Sequence, residues 1–486
     1  MSNHLSAIDH VVVLMLENRS FDHMLGFLYA DRPPRAEQPF DGLTGSEFNL
    51  DRDGNRVAVF KITPDTPNAY FMPGADPGEG YKATNSQLFG SIQAPGSAPA
   101  QSNGGFASDF VYTLGWETRE RPNEIVTGTQ PNWIMGCYTP EALPILSGLA
   151  RGYAVCDRWF GCAPTETLPN RAFALAATSQ GHMDDATHSF TCPSIFGRLS
   201  DAGLDWKIYG YNAPPLTRHN FPDTTQADDA HFGLFSNFVD DARAGRLPPF
   251  TFLEPAWSGA EQNDQHPVSD VSAGERLIRD VYYAVRNGPA WNKTLLIITY
   301  DEHGGCYDHV APPWSATPPD NLSGEFGFGF NRFGPRVPTV LISPLIQAGT
   351  VFRVAANKTP LDHTSILKTL QVRWPAVKAL TARDAAACDV GDVLTLATAR
   401  HDDPLQNVSA PTAPGGNPFP DRPTHLQKVH ASMLARQPVP DSEGGTAHTQ
   451  PRLETHTDYH RYIWSRYEHW RRTRHVDHHG RRGHKS

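Results

Sequence analysis

A chain of 486 residues is long enough for one large domain or two ordinary ones. Its 39% hydrophobic and 19% charged residues are globular proportions, and a formal net charge of −10 argues against general nucleic-acid binding. No apolar run approaches a membrane span. The first ten residues, MSNHLSAIDH, lack a basic region followed by an apolar core, so the expectation is a chain without an ordinary secretory signal, cytoplasmic or exported by a non-standard route.

The first predicted element is a strand over residues 8–16, whose continuous apolar run at 11–16 suits burial on both faces of a parallel sheet. It stops on Glu17 and Asn18, at the strand end where open α/β sheets place ligands. Two readings stand here: Asn18 or Ser20 caps a helix over 21–28, or the pair binds a metal. Residues 32–105, rich in Gly, Pro, Asn and Ser, read as a long excursion or small β insertion over the same edge. A strand at 153–156 precedes APTETLPNR (163–171), where Pro169 fits the first turn of a helix. Thr167 then sits at a helix amino end, either as an ordinary cap or as a hydroxyl nucleophile towards phosphorus. Further strands are expected at 206–209, 250–253, 295–300 and 337–342, with a helix at 272–287 ended by Gly288-Pro289. This alternation predicts an α/β fold, a mostly parallel central sheet with helices on both faces.

The strand at 295–300 runs into Asp301-Glu302-His303-Gly304-Gly305. If it shares a sheet with the first strand, three carboxylates and a carboxamide converge. Carboxylates that close repel strongly unless a cation joins them. Oxygen ligands of this kind select one hard divalent ion, Mg²⁺, Ca²⁺ or Mn²⁺. The alternative is a solvated loop. Residues 320–335 interleave Gly and Phe, as a lid or as a loop packing its Phe side chains inward.

Beyond residue 400 the composition changes. A Pro/Gly/Asn-rich connector (402–423) leads to a short helix (425–437), a linker (438–451) and a basic aromatic segment. There Tyr459, Tyr462, Ile463, Tyr467 and Trp470 recur at helical spacing, with Arg461, Arg466, Arg471, Arg472 and Arg474 beside them. That face either docks on the core or a second subunit, or lies on an anionic membrane. The expected divisions are 1–400, 401–457 and 458–486. Six cysteines, none at zinc-finger spacing, read as scattered buried thiols.

Four motifs in order, ENRSFDH (17–23), TLPNR (167–171), YDEHGGCYDHVAPP (300–313) and DHTSILKTL (362–370), resemble those of bacterial phospholipases C, plant non-specific phospholipases C and related acid phosphatases of the alkaline phosphatase superfamily. The resemblance implies one catalytic divalent metal held by Glu17, Asn18, Thr167, Asp301 and Glu302, and a covalent phospho-threonine at Thr167. It implies phosphate contacts from His266 and His303, with His363, Asn170 and Arg171 as further substrate-side residues. One departure is Glu79, standing where many members carry a His. A carboxylate there repels a phosphate instead of donating to it, so Glu79 takes another role, such as metal or choline contact, or its segment is displaced.

The expected activity is cleavage of a glycerophospholipid into diacylglycerol and a phosphorylated head group such as phosphocholine. Acid phosphatase action on small monoesters is the alternative, and a catalytically idle scaffold binding membranes or partners is a second. Trp116, Trp133 and Trp257 are candidates for a choline cage. The partners expected are a phospholipid or small phosphoester, a membrane surface met by the C-terminal segment, and a second copy of the chain, with no nucleic acid.

Overall fold

The computed structural model describes residues 4–99, 102–188, 190–438 and 451–480, with side chains to 473. At its centre is an eight-stranded sheet. In chain order the strands are β1 (His10–Leu16), β2 (Ala154–Val155), β3 (Trp206–Gly210), β4 (Phe232–Leu234), β5 (Phe250–Leu253), β6 (Thr294–Tyr300), β7 (Thr339–Ile342) and β8 (Thr350–Val351). Across the sheet they run β8-β2-β7-β6-β1-β5-β3-β4. Only β7 is reversed, pairing antiparallel with both β6 and β2. The six strands legible in the sequence are all here. The two others, β4 and β8, are short and only partly buried, so no apolar pattern marks them.

Every residue of β6, and residues 11–16 of β1, are buried. Successive strand side chains point to opposite faces, so both faces are covered. One cover is the Val271–Arg286 helix, which packs on β1, β6 and the Pro144–Gly152 helix. Leu277, Ile278, Val281, Tyr282 and Val285 form its buried face, and Asp270 caps it by accepting from Ser272 N. Each such side chain removed from water contributes about 1.5–3 kcal/mol. The Thr167–Ala176 and Thr364–Arg373 helices pack against each other as a second group.

The excursion after the first helix (Phe21–Leu25) folds into a hairpin of Phe48–Leu50 and Arg56–Ala58, then the Tyr81–Phe89 helix. The Gly-Phe loop divides its aromatics: Phe328, Phe330 and Phe333 point inward, whereas Phe326 is 56% exposed.

Residues after 400 lie on the sheet domain. Tyr282 and Tyr283 donate to Asp403 at 2.9 and 3.2 Å, and Ala413 N donates to Ser272 Oγ at 3.0 Å. The His425–Arg436 and His456–Gly480 helices pack together, burying Tyr459, Ile463, Tyr467 and Trp470 with Ala431 and Leu434. Arg466 donates to the carbonyls of Leu434, Ala435 and Gln437, closing the end of the shorter helix. The aromatic face is therefore turned inward. Most of the expected linker (439–450), the Arg474 side chain and residues 481–486 lie outside the described residues. Among the described residues no helix is long and apolar enough to cross a membrane, and all six cysteines are free thiols.

Candidate functional site

The register of the two central strands builds the site. Leu16 pairs with Tyr300, so Glu17-Asn18 and Asp301-Glu302 emerge side by side at one sheet edge. Asn18 adopts a left-handed φ of 55°, which Asn tolerates well. Asp301 Oδ1 fixes the junction by accepting from Asn18 N at 3.0 Å and Glu302 N at 2.8 Å. Gly304 must be glycine here, because a Cβ would sit 1.9 Å from the Asn18 carbonyl oxygen. Ser20, not Asn18, caps the first helix, accepting from His23 N.

Thr167 is the first residue of its helix, and its Oγ1 donates to Asn18 Oδ1 at 3.1 Å. Asn170 and Arg171 hold it there. Asn170 accepts from Ala163 N and donates to the carbonyls of Ala163, Thr165 and Glu166, bracing the loop before the helix. Arg171 Nε donates to Asp301 Oδ2 at 2.9 Å, its other nitrogen to the Leu16 carbonyl at 3.2 Å. Its guanidinium lies 4.8 Å from the Trp257 ring centroid. Trp257 is thereby committed to Arg171.

Buried acid exceeds the positive charge that meets it. Glu17 Oε1 and Glu302 Oε1 are buried without a hydrogen-bond partner, and Arg171 comes only within 3.7 Å of the first. Burial, then the charge of Asp301, holds both carboxyls well above the usual carboxylate range. Three acids that the sequence motifs did not single out surround them. Asp185 accepts from Leu168 N at 2.6 Å, and burial raises it to about 7. Glu166 accepts from Asp185 N and is raised to about 8, first by burial and then by Asp185. The Asp264 carbonyl accepts from Glu17 N, and burial lifts its carboxyl to about 7. Asp264 lies two residues before His266, whereas Asp185 sits in a loop with no periodic signal. Two orphaned carboxylate oxygens beside a carboxamide and a hydroxyl are a donor set that fits a hard divalent cation.

At the opening, Glu79 Oε2 accepts from Asn18 Nδ2 at 2.5 Å and lies 3.9 Å from His266 Nε2. Glu79, Asp76 and His266 form a compact group, each offering a ligand atom within 4.8 Å of the others. The Glu79 segment is thus in place at the site. Burial, then Glu302 and Asp76, raises the Glu79 carboxyl. Burial, helped by Arg422, pulls His266 down to about 3, leaving a neutral imidazole.

The other two histidines stand behind this group. His303 faces Glu302 Oε2 at 3.0 Å and Gln87 Oε1 at 2.7 Å, and burial lowers it to about 3, so a neutral ring donates to one of them. His363 accepts from Trp159 Nε1 at Nδ1 and so donates from Nε2 to the Asp301 carbonyl at 2.6 Å. Trp159 orients the His363 ring, whose Nε2 holds the Asp301 carbonyl.

The phosphoesterase family model matches residues 8–377. Non-specific phospholipase C6 of Arabidopsis thaliana is 37% identical over 417 residues, 82% of this chain and 75% of that protein. Non-specific phospholipase C1 of the same plant is 36% identical, covering 78% and 69%. Phospholipase C A of Mycobacterium tuberculosis is 30% identical, covering 81% and 78%. A solved structure of an alkaline phosphatase superfamily protein from Vibrio parahaemolyticus aligns over 52% of this chain and 64% of its own, with 11% identity and a TM-score of 0.29.

Proposed function

Because this chain belongs to the phosphoesterase family and is a phosphoric ester hydrolase, we propose that it is a phospholipase C-type phosphodiesterase that releases a phosphorylated head group, such as phosphocholine, from a glycerophospholipid. The observation that carries this reading is Thr167 Oγ1, 3.1 Å from Asn18 Oδ1 and beside two buried carboxylates with unpartnered oxygens. Its relatives named as phospholipases C, plant and bacterial, support the same substrate class.

Thr167 is the nucleophile. Its Oγ attacks phosphorus in line with the glycerol oxygen, the glycerol O–P bond breaks, and diacylglycerol departs after taking up a proton. Water then cleaves the phospho-threonine, releasing the phosphorylated head group and restoring the hydroxyl. Asn18 sets the direction of the hydroxyl by accepting its hydrogen bond. His266, at the opening, takes a proton when an anionic phosphate lies beside its Nε2. It then holds a phosphate oxygen and supplies the proton to the departing alkoxide, and the proton that the Thr167 hydroxyl loses restores it. His303 steadies Glu302, and Arg171 and His363 position Asp301. A divalent cation held by Glu17, Asn18, Thr167, Asp301 and Glu302 supplies, when bound, the Lewis acidity that activates the hydroxyl and offsets phosphoryl charge. Residues 1–400 carry this chemistry, with 401–457 as connector and 458–486 as a C-terminal segment whose aromatic residues 459–470 pack on the shorter helix.

Glu79 favours the diester over the monoester. A monoester brings about one more negative charge into a site whose opening already holds Asp76 and Glu79. Rates on phosphatidylcholine, a chromogenic phosphocholine diester and a chromogenic phosphomonoester test the reading. The two diesters should be cut and the monoester should lag. A monoester turned over faster than either diester assigns the chain to the phosphatases instead.

A further inference from the structure

Large exposed apolar side chains are distributed unevenly over this protein. Eight are at least 37% exposed among the described residues, and all but Val372 come from four segments. Phe48 and Leu50 are on the hairpin, at 45% and 49%, and Ile92 follows the Tyr81–Phe89 helix at 60%. Tyr112 and Trp116 lie one turn apart on the Phe106–Glu120 helix. Leu322 and Phe326 belong to the Gly-Phe loop.

One cavity of ≈ 650 Å³ lies among these segments, lined by Arg52, Lys82, Ile92, Tyr112 and Trp116 together with the acids Asp76, Asp109 and Glu117. Arg52 lies over the Tyr112 ring at 5.5 Å. Phe326 stacks on Tyr81 at 5.5 Å, and Lys82 reaches over the Phe326 ring at 5.4 Å. On the hairpin Arg56 covers Phe48 at 4.2 Å, and on the Phe106–Glu120 helix Arg121 lies over Trp116 at 5.1 Å. Basic side chains thus stand among the most exposed apolar ones, with Arg121 also 3.8 Å from Glu117 of the cavity wall. Asp76 Oδ1, at the inner end, is 3.9 Å from His266 Nδ1.

We propose that this rim is an interfacial face that lays the protein on an anionic phospholipid bilayer, with the apolar side chains entering the acyl boundary and the arginines and Lys82 meeting lipid phosphates. The inference rests on the phospholipase reading for its substrate but names a surface that reading does not. Its occupant is identified by chemistry: apolar side chains interleaved with cations suit a surface that is apolar beneath an anionic layer. The aromatic face of the C-terminal helix is buried and does not serve this purpose.

Flotation with phosphatidylcholine–phosphatidylserine vesicles measures binding independently of hydrolysis. Leu50→Glu combined with Phe326→Glu should lower vesicle partition by about tenfold or more, because each loses a favourable apolar transfer and adds like charge. Turnover of the soluble chromogenic phosphocholine ester should stay within about twofold, as exposed substitutions rarely disturb a fold. Arg52→Glu should weaken partition and flatten its salt dependence. Unchanged partition in the double variant overturns the proposal. So does an equal loss on soluble and vesicular substrates, which places these residues in the site itself. A double variant that loses a wild-type dimer in sedimentation while keeping vesicle binding assigns the face to self-association instead. If the wild-type enzyme cuts no diester, the phospholipase reading fails while flotation still decides the face.

Discussion

Two groups of buried carboxylates lie about five to seven residues apart within the same motifs, and the protein treats them differently. Asp22 and Asp308 are fully buried, yet Arg336 lies between them, donating at 2.8 and 3.0 Å. His309 closes the group, donating its backbone N–H to Asp22 at 2.7 Å with its ring at 2.5 Å. The Glu17–Asp301–Glu302 group has one arginine for three acids, and two oxygens remain unpartnered. Where counter-charge is built in, the acids tie β1 to the loop after β6. Where it is withheld, the fold tolerates a charge deficit that a cation can fill.

The largest expected effect isolates chemistry from architecture. Thr167→Ala should lower turnover by about 10⁴-fold or more, with an unchanged melting temperature. Intact mass after substrate trapping should place one phosphate on the wild-type Thr167 peptide and none on the variant. A variant retaining near-normal turnover removes Thr167 from the nucleophile role.

Arg336→Ala should do the reverse. Leaving Asp22 and Asp308 buried without their cation should cost about 3–5 kcal/mol in denaturant unfolding. A loss under 1 kcal/mol would mean that the paired group is as dispensable as surface charge.

A matched pair of isosteres sharpens the contrast. In metal-stripped protein Glu302→Gln removes an acid whose ionisation burial penalises, and stability should rise by on the order of 1 kcal/mol, whereas the metal-loaded variant should lose activity. Asp308→Asn should instead lower stability by about 1–3 kcal/mol, because Arg336 loses a charged acceptor. Thermal melts of both variants after chelation test this, and shifts of the same sign would erase the distinction.

The smallest effect is in pH. Glu17 and Glu302 have folded pKa values above their usual 4.5, with Asp185 raised to about 7 and Glu166 to about 8. A carboxyl raised on folding stabilises fully below its unfolded pKa and loses that contribution as pH rises through the folded value. Metal-free protein should therefore melt progressively lower from about pH 4.5 to pH 8, and a saturating divalent cation should flatten the slope. A metal-free melting temperature that rises across this window contradicts the charge deficit.

Much of the catalytic edge was legible because β1 and β6 carry continuous apolar runs, at 11–16 and 295–298, so the polar groups that follow were visible without any partner. That these strands are neighbours was not legible. Their pairing joins residues nearly three hundred positions apart, and no local pattern encodes it. Asp185 escaped notice because its place depends on a loop folding back to cap Leu168, and β4 and β8 because edge strands need little apolar surface. The importance of Glu79 came from resemblance, and its 2.5 Å contact with Asn18 came only from the fold. The C-terminal helix advertised an aromatic face, but the sequence could not say whether protein or lipid covered it.

The hydrogen bond from Asn18 to Asp301 spans 283 positions along the chain, and this bears on synthesis. A ribosome must deliver β6 before Glu17 and Asn18 can meet Asp301 and Glu302, so nascent chains shorter than that carry no complete centre. Closing so long a loop makes late, slow assembly the expectation. For an enzyme whose proposed substrate is a membrane lipid, that delay acts as a safeguard: fragments that end before β6 lack two of the carboxylates of the site.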